Sequence, residues 1–197
     1  MITWIKNFLK LLASIVSFSM TNKNDAADIL PSDVEPPKDI DANVPVDGPK
    51  PEKTKGQKFY EECKKLIGQR IIPLTELNKY GVLGCAQHLN AMYKRVFGVE
   101  IGGGASTALM WAALKDTTRF REVLEGEEDL PGDIWMYATG TSRLHPQAHG
   151  HVLVRGVRWC MSNSSETGEW EANYTIEGCE QYFGKIMGFP LRKYRIL

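Results

Sequence analysis

From residue 57 onward the sequence changes from helical to strand-like patterning, and this change limits the folds that the chain can adopt. Apolar residues at helical spacing predict helices over 57–67, from Cys85 to about Phe97, and over 106–115. Helices that come first and strands that follow are typical of an α+β fold with a mostly antiparallel sheet. A short helix is predicted over about 177–186, and short apolar runs predict strands over 120–124, 133–138, 151–155, 157–161 and 191–196.

The residues before this part of the chain have a different composition. Residues 21–56 hold six of the ten prolines and no aromatic residue. Such a segment cannot bury enough apolar area to offset the entropy lost on ordering, so it predicts a disordered, Pro-rich linker. We therefore expect one folded domain over 57–197, preceded by this linker.

The first twenty residues suggest a targeting element. Lys6 and Lys10 precede a short apolar stretch over 11–20. A basic start followed by such a stretch is typical of a secretory signal, and a weakly hydrophobic membrane anchor is the second interpretation. An amphipathic helix that packs on a partner is the alternative. We expect export or membrane tethering through residues 1–20 rather than a cytoplasmic protein.

Charge and cysteine content limit the partners and the disulfide bonds that we expect. The formal net charge is zero, so there is no electrostatic case for nucleic-acid binding. Four cysteines are too few for a disulfide scaffold in 197 residues. In an exported protein, two of Cys63, Cys160 and Cys179 would be able to form one bridge and leave Cys85 free; in a cytosolic protein all four would be reduced. We expect a monomer.

Cys85 is the candidate nucleophile. It follows Gly84, where glycines give way to a helix-competent run, so its thiol lies on the first turn of a helix. Free backbone N–H groups and the positive end of the helix dipole favour a thiolate there. A cysteine at a helix N-terminus, followed by a histidine that opens a strand, is typical of a cysteine hydrolase. The alternative is that Cys85 is a small buried hydrophobic residue.

His151 is the candidate general base. It opens the apolar run Val152-Leu153-Val154, and a hairpin with the next strand would bring Asn163 beside it. The Asn163 carbonyl would then accept from one imidazole nitrogen and leave the other facing Cys85. His149 is the alternative base, because the glycine between the two histidines leaves the start of the strand open. Glu166 and Asn173 are alternatives to Asn163.

Two further sites are considered and rejected on the sequence. His145, His149 and His151 with Cys85 suggest zinc, but no second cysteine pair or nearby acidic cluster completes four ligands, so no metal is predicted. The run Gly102-Gly103-Gly104 lacks the Gly-Lys-Ser/Thr of a phosphate-binding loop. His88, one turn after Cys85, is expected at the surface or as a residue that supports the site.

The order of these motifs resembles a known family. Gly84-Cys85, Pro131-Gly132-Asp133 and Gly150-His151-Val152 are followed by Asn163 at the end of the next predicted strand. This order is similar to that of CHAP domains, the cysteine, histidine-dependent amidohydrolase/peptidase group related to NlpC-type cell-wall endopeptidases. The resemblance covers about residues 57–197 and implies a papain-like fold, catalytic Cys85, His151 and Asn163, and no cofactor. Tyr80 matches the Tyr-Gly lead-in of these domains, which implies that it contacts substrate or the oxyanion; the alternative is that Tyr80 is a core residue.

The resemblance implies a peptidoglycan hydrolase, either an amidase or an endopeptidase. Peptidoglycan is then the expected partner, and a phage-type endolysin or a secreted wall-remodelling enzyme is the expected class. Two alternatives remain at this stage. One is a non-catalytic binding or structural module on the same scaffold, such as a virion or membrane-assembly component, and the other is a secreted cysteine protease toxin.

Overall fold

A computed structural model of the chain describes residues 52–77 and 84–197. They belong to one compact unit that spans Lys50–Leu197. The predicted targeting segment 1–20, and all but the last five residues of the predicted linker 21–56, lie outside the described residues. In the part of the chain that is described, no helix has the length and apolar character that a membrane span requires.

The first helix begins two residues before the predicted helix start at residue 57. Helix α1 spans Lys55–Lys65 and is capped by Thr54. The Thr54 hydroxyl accepts the backbone N–H of Gln57 at 3.2 Å, and the Gln57 side chain accepts the N–H of Thr54 at 2.9 Å. This reciprocal capping satisfies two N–H groups that would otherwise lack helical partners, so the helix starts where the cap is.

Three more helices precede the sheet and one helical segment interrupts it. Helix α3 confirms the predicted helix that begins at Cys85. The sequence did not predict the short helix α2. The bounds are α2 Leu74–Leu77, α3 Cys85–Phe97, α4 Thr107–Ala113 and α5 Ile176–Cys179, the last continuing as a π-helical segment, Glu180–Ile186.

Six strands form one sheet in the order β1-β6-β2-β3-β4-β5. Every neighbouring pair is antiparallel. The helices on an antiparallel sheet confirm the predicted α+β class. The strands are β1 Phe120–Glu122, β2 Ile134–Tyr137, β3 His151–Arg155, β4 Trp159–Asn163, β5 Trp170–Thr175 and β6 Arg192–Ile196.

Strand β5 was not predicted from the sequence, although its pattern carries a signal. Trp170, Ala172 and Tyr174 alternate with polar residues over the six-residue strand. Trp170 is fully buried in the core beside α3. The Asn- and Ser-rich turn before it and the polar residues at every second position hid the strand, although period-two alternation is the pattern of a half-buried strand.

The two faces of the sheet carry two separate cores. Val152 and Val154 of β3 belong to the larger core, together with buried residues of α1 and α3. Leu153 points the other way, into a second core. This alternation follows from the two-residue period of a strand. The second core lies under the π-helical segment and is built from Trp135, Tyr137, Leu153, Cys160, Cys179, Phe183 and Phe189.

The Pro-Gly-Asp motif has a structural explanation. Gly132 has a φ of 97°, and a Cβ there would overlap the backbone of Gly56 in α1, so only glycine fits. Asp133 is 2% exposed and accepts hydrogen bonds from Arg195 at 2.9 and 2.7 Å. It also accepts the N–H of Leu130 at 2.8 Å. The motif therefore joins the start of β2 to β6 and α1 instead of supplying chemistry.

Candidate functional site

Cys85 is the first residue of α3, a helix of 13 residues whose N-cap is Gly84. Gly84 has no side chain to cap the helix. Its carbonyl accepts the backbone N–H of His88 at 2.9 Å and lies 2.9 Å from the Nδ1 atom of the same residue. His88 is fully buried. It therefore supports the start of the helix from the interior and is not a surface residue.

The Cys85 thiol has a higher pKa than its position at a helix N-terminus predicts. Its side chain is 5% exposed, and burial raises the pKa of the thiol above its ordinary value. The backbone N–H groups of Val152, Ala86 and Cys85 itself act in the opposite direction but do not outweigh burial. The expected lowering of this pKa by the helix terminus is therefore wrong, because burial of the thiol outweighs it.

The Val152 N–H is available to the thiol because two strands separate at this point. Arg155 directs its N–H to β2, so Val152, an odd number of residues away, directs its N–H toward β4. The β3–β4 ladder, however, ends at the pair Val154 and Met161. The Val152 N–H thus lies beyond the ladder, where it can bond to the Cys85 thiol and oppose the rise in its pKa.

Cys85 and His149 line one open cavity of about 470 Å³. Its other walls include the glycine loop, Gly103-Gly104, and the hydroxyl-bearing residues Thr107 and Thr139. His149 is exposed, so its imidazole is accessible from solvent at the rim. Cys85 therefore shares its cavity with His149, the alternative candidate base.

His151 lies on the other face of the sheet. It pairs with Tyr137 and its ring stacks on Phe183, with centroids 4.8 Å apart and planes 10° apart. Its Nε2 atom is 2.9 Å from the Ser162 hydroxyl. Burial lowers the pKa of His151 to about 4. Within residues 52–77 and 84–197 no hydrogen bond joins Cys85 to His151 or to His149, so the predicted pairing of Cys85 with His151 stays a prediction.

The end of the β2–β3 ladder explains why His149 and His151 lie on opposite faces of the sheet. On a continuous strand, residues two apart point to the same face. The β2–β3 ladder, however, ends at the pair Tyr137 and His151. Beyond it, the N–H of Gly150, which a continuous strand would direct toward β4, bonds at 2.8 Å to the hydroxyl of Thr139, just after β2. The chain leaves the strand at Gly150, and His149 reaches the cavity.

Asn163 does not orient His151 as predicted. Its Nδ2 atom is 3.4 Å from the Ser164 carbonyl, and its buried Oδ1 atom has no hydrogen-bond partner among the described residues. The Ser162 hydroxyl, which contacts His151, lies 3.2 Å from the Oδ1 atom of Asn173. Asn173, one of the two alternatives to Asn163, is therefore the amide that the structure connects to His151, through Ser162.

The glycine loop is a site element that the sequence analysis missed. Gly102, Gly103 and Gly104 have φ values of 120°, 79° and 57°, a run that other residues adopt only with strain. Asn90 of α3 holds the loop by donating to the carbonyls of Gly102 at 3.2 Å and Gly104 at 2.9 Å. Its Oδ1 accepts the Gly102 N–H at 3.0 Å. The triple glycine was the available signal, and its role is a cavity wall.

Tyr80 lies outside the described residues, so its predicted contact with substrate stays a prediction. Across the described ranges there is no group of three or more His, Cys, Asp or Glu side chains arranged to hold a metal ion. Comparison with protein-family models, curated proteins and solved structures gives no match to this chain.

Proposed function

We propose that the protein is a cysteine hydrolase of the papain-like CHAP type that cleaves an amide bond of peptidoglycan. In this proposal Cys85 is the nucleophile and His149 is the general base. The predicted base, His151, is assigned a supporting position on the far side of the sheet. The class of substrate comes from the motif order that resembles CHAP domains.

The observation that carries the proposal is the shared cavity of Cys85 and His149. A nucleophile at the N-terminus of a helix and an accessible imidazole in the same cavity are two of the elements that acyl transfer requires. The cavity is open, and its volume of about 470 Å³ falls in the range of small-ligand sites. A short stretch of peptide would fit there.

The raised pKa of the Cys85 thiol sets the order of proton transfers. The thiol is neutral at rest, so His149 removes its proton as the sulfur attacks the substrate carbonyl. The N–H groups at the start of α3, including that of Cys85, stabilise the oxyanion. The carbon–nitrogen bond breaks and His149 returns the proton to the leaving amine. Water, activated by His149, then hydrolyses the thioester and regenerates the thiol.

The cellular location follows from the substrate. Peptidoglycan lies outside the cytoplasm, so the proposal requires residues 1–20 to export the enzyme or to tether it at the membrane. A flexible linker of about 36 residues would span about 30–36 Å on average, and more where proline stiffens it. Deletion of residues 1–20 should remove export or membrane association but leave hydrolysis in solution unchanged.

Incubation of the purified full-length protein with peptidoglycan tests the activity directly. Mass spectrometry of the released fragments identifies new amino and carboxyl ends and therefore the bond that is cut. We expect new ends with the wild-type protein and none with Cys85→Ala. Intact peptidoglycan in both reactions would contradict the proposal.

Burial of the thiol favours one alternative, a non-catalytic binding module. Cys85 is only 5% exposed, and its raised pKa lowers its reactivity. The alternative predicts that Cys85→Ala binds peptidoglycan as tightly as the wild type and that neither protein releases fragments. Co-sedimentation with insoluble peptidoglycan, measured beside fragment release, separates the two functions.

A further inference from the structure

Two threonine hydroxyls connect three segments at the back of the cavity. Thr107 lies at the start of α4, and Thr139 lies just after β2. Their Oγ1 atoms are 2.8 Å apart. The Thr107 hydroxyl also accepts the backbone N–H of Thr139 at 3.1 Å. The two side chains therefore hold each other and join α4 to the end of β2.

Thr139 makes one more bond, and it bears on the candidate base. Its hydroxyl accepts the N–H of Gly150 at 2.8 Å, and Gly150 is the residue directly after His149. This is the position at which the β2–β3 ladder has ended. On a continuous strand this N–H would point toward β4, so its bond to Thr139 marks the turn of the chain out of the strand.

Only glycine fits at position 150. It is buried, and a Cβ built on it would overlap the backbone of Tyr137, Ala138 and Thr139. The peptide that carries His149 is therefore pressed against the end of β2 and fixed by one hydrogen bond. The direction in which the chain leaves the strand depends on that bond.

We infer that Thr139, held by Thr107, is a positioning residue for the general base His149. This inference rests on the proposed function, since it assigns Thr139 a role in that same site. Thr139 places the base by setting where β3 ends, so that His149 reaches the Cys85 cavity while His151 stays in the opposite core.

The inference is tested with Thr139→Val, which replaces the hydroxyl by a methyl group of similar size, and with Thr139→Ser, which keeps the hydroxyl. In full-length protein we expect Thr139→Val to lower kcat on peptidoglycan fragments by about a hundredfold, since a small misplacement of a catalytic group has an effect of that order. KM should change little. Thr139→Ser should retain most of the wild-type kcat.

Pairing with His149→Ala separates positioning from general stability. If Thr139 acts through His149, adding Thr139→Val to His149→Ala should produce no further loss of kcat. A loss of the same size in both backgrounds would overturn the inference, and so would wild-type kcat in Thr139→Val. Thermal unfolding of each variant identifies a loss of activity that comes from unfolding.

Alkylation of Cys85 gives a readout that does not need hydrolysis. The rate of carbamidomethylation by iodoacetamide is measured against pH by peptide mass spectrometry. We expect Thr139→Val and His149→Ala to share one altered pH profile, and Thr139→Ser to follow the wild type. A wild-type profile in Thr139→Val would overturn the inference. Absence of hydrolysis in the wild type, with the expected alkylation profiles, would reject the proposed function alone.

Discussion

The two faces of the sheet place two histidines, two residues apart in sequence, in opposite environments. On the α3 face, His149 is exposed at an open cavity beside a cysteine. On the other face, His151 stacks on Phe183 in a core of aromatic and sulfur-containing side chains. Burial lowers the pKa of His151 to about 4, so it is a poor acceptor of protons at neutral pH. The end of a hydrogen-bond ladder, and not the residue type, decides which of the two imidazoles reaches the Cys85 cavity.

The largest effect is expected at the nucleophile on the α3 face. Cys85→Ala should abolish hydrolysis and leave the fold nearly intact, because it removes the reacting sulfur with little change in volume. Fragment release and the thermal unfolding midpoint measure the two properties. In the wild type, Cys85 should be alkylated faster than the other three cysteines, which are fully buried. Equal alkylation of all four in the native protein would contradict this assignment.

The second-largest effect is expected at His149, and it should exceed the effect at His151. His149→Ala should lower kcat by about a hundredfold or more, the usual contribution of a general base. His151→Ala should lower kcat less, because it removes a buried ring that packs on Phe183 and not the base. Steady-state kinetics with peptidoglycan fragments as the substrate give kcat for both variants. His145 is an exposed histidine outside the cavity, so His145→Ala is the matched control. Loss of activity in His151→Ala with wild-type activity in His149→Ala would identify His151, and not His149, as the general base.

A third effect concerns stability and belongs to the aromatic face. The pKa of His151 is about 4 in the folded state and about 6.5 in an unfolded chain. The unfolded chain binds this proton first, so the contribution of His151 is fully present above pH 6.5 and is lost as the pH falls toward 4. The loss of free energy of unfolding should be about 3 kcal/mol.

Urea unfolding at pH 7.5 and pH 4.5 tests this dependence. His151→Gln should show a smaller difference between the two conditions than the wild type. A residual difference of the same sign is expected from His88, because burial also lowers its pKa. An equal pH dependence in the wild type and His151→Gln would show that His151 is not the group responsible.

The smallest effect is expected at Asn163, the predicted orienting residue. Its buried Oδ1 atom has no hydrogen-bond partner in the described part of the chain, and it makes no bond to either histidine there. Asn163→Ala should therefore change kcat by less than about threefold, in contrast to removal of a residue that orients a base. A much larger fall in kcat would show that Asn163 does orient the base. The site would then have to adopt a different arrangement during the reaction.

Local patterns predicted much of this architecture. Helix α3 begins at Cys85 as expected, because glycines before it and helix formers after it mark the boundary. Strand β3 spans His151–Arg155 as predicted. These elements depend on residues close in sequence, and their physical signals are strong.

The site geometry depends on contacts between distant segments, which a single sequence does not display. The break at Gly150 requires a hydroxyl from Thr139, and the loop at Gly102 requires the amide of Asn90. The sign of the shift in the pKa of Cys85 depends on how deeply the thiol is buried. None of these has a periodic pattern, so the sequence predicted the start of α3 at Cys85 but not the surroundings of that residue.

The strand order has a consequence for how fast the protein reaches its native state. Phe120 of β1 pairs with Ile196 of β6, and β6 in turn lies between β1 and β2. Strands so far apart in sequence can meet only after a long loop has closed, and such non-local pairing slows folding to the range of about milliseconds to seconds. Until β6 inserts, the edges of β1 and β2 remain open to strands of other molecules. Refolding at high protein concentration should therefore favour aggregation in this interval.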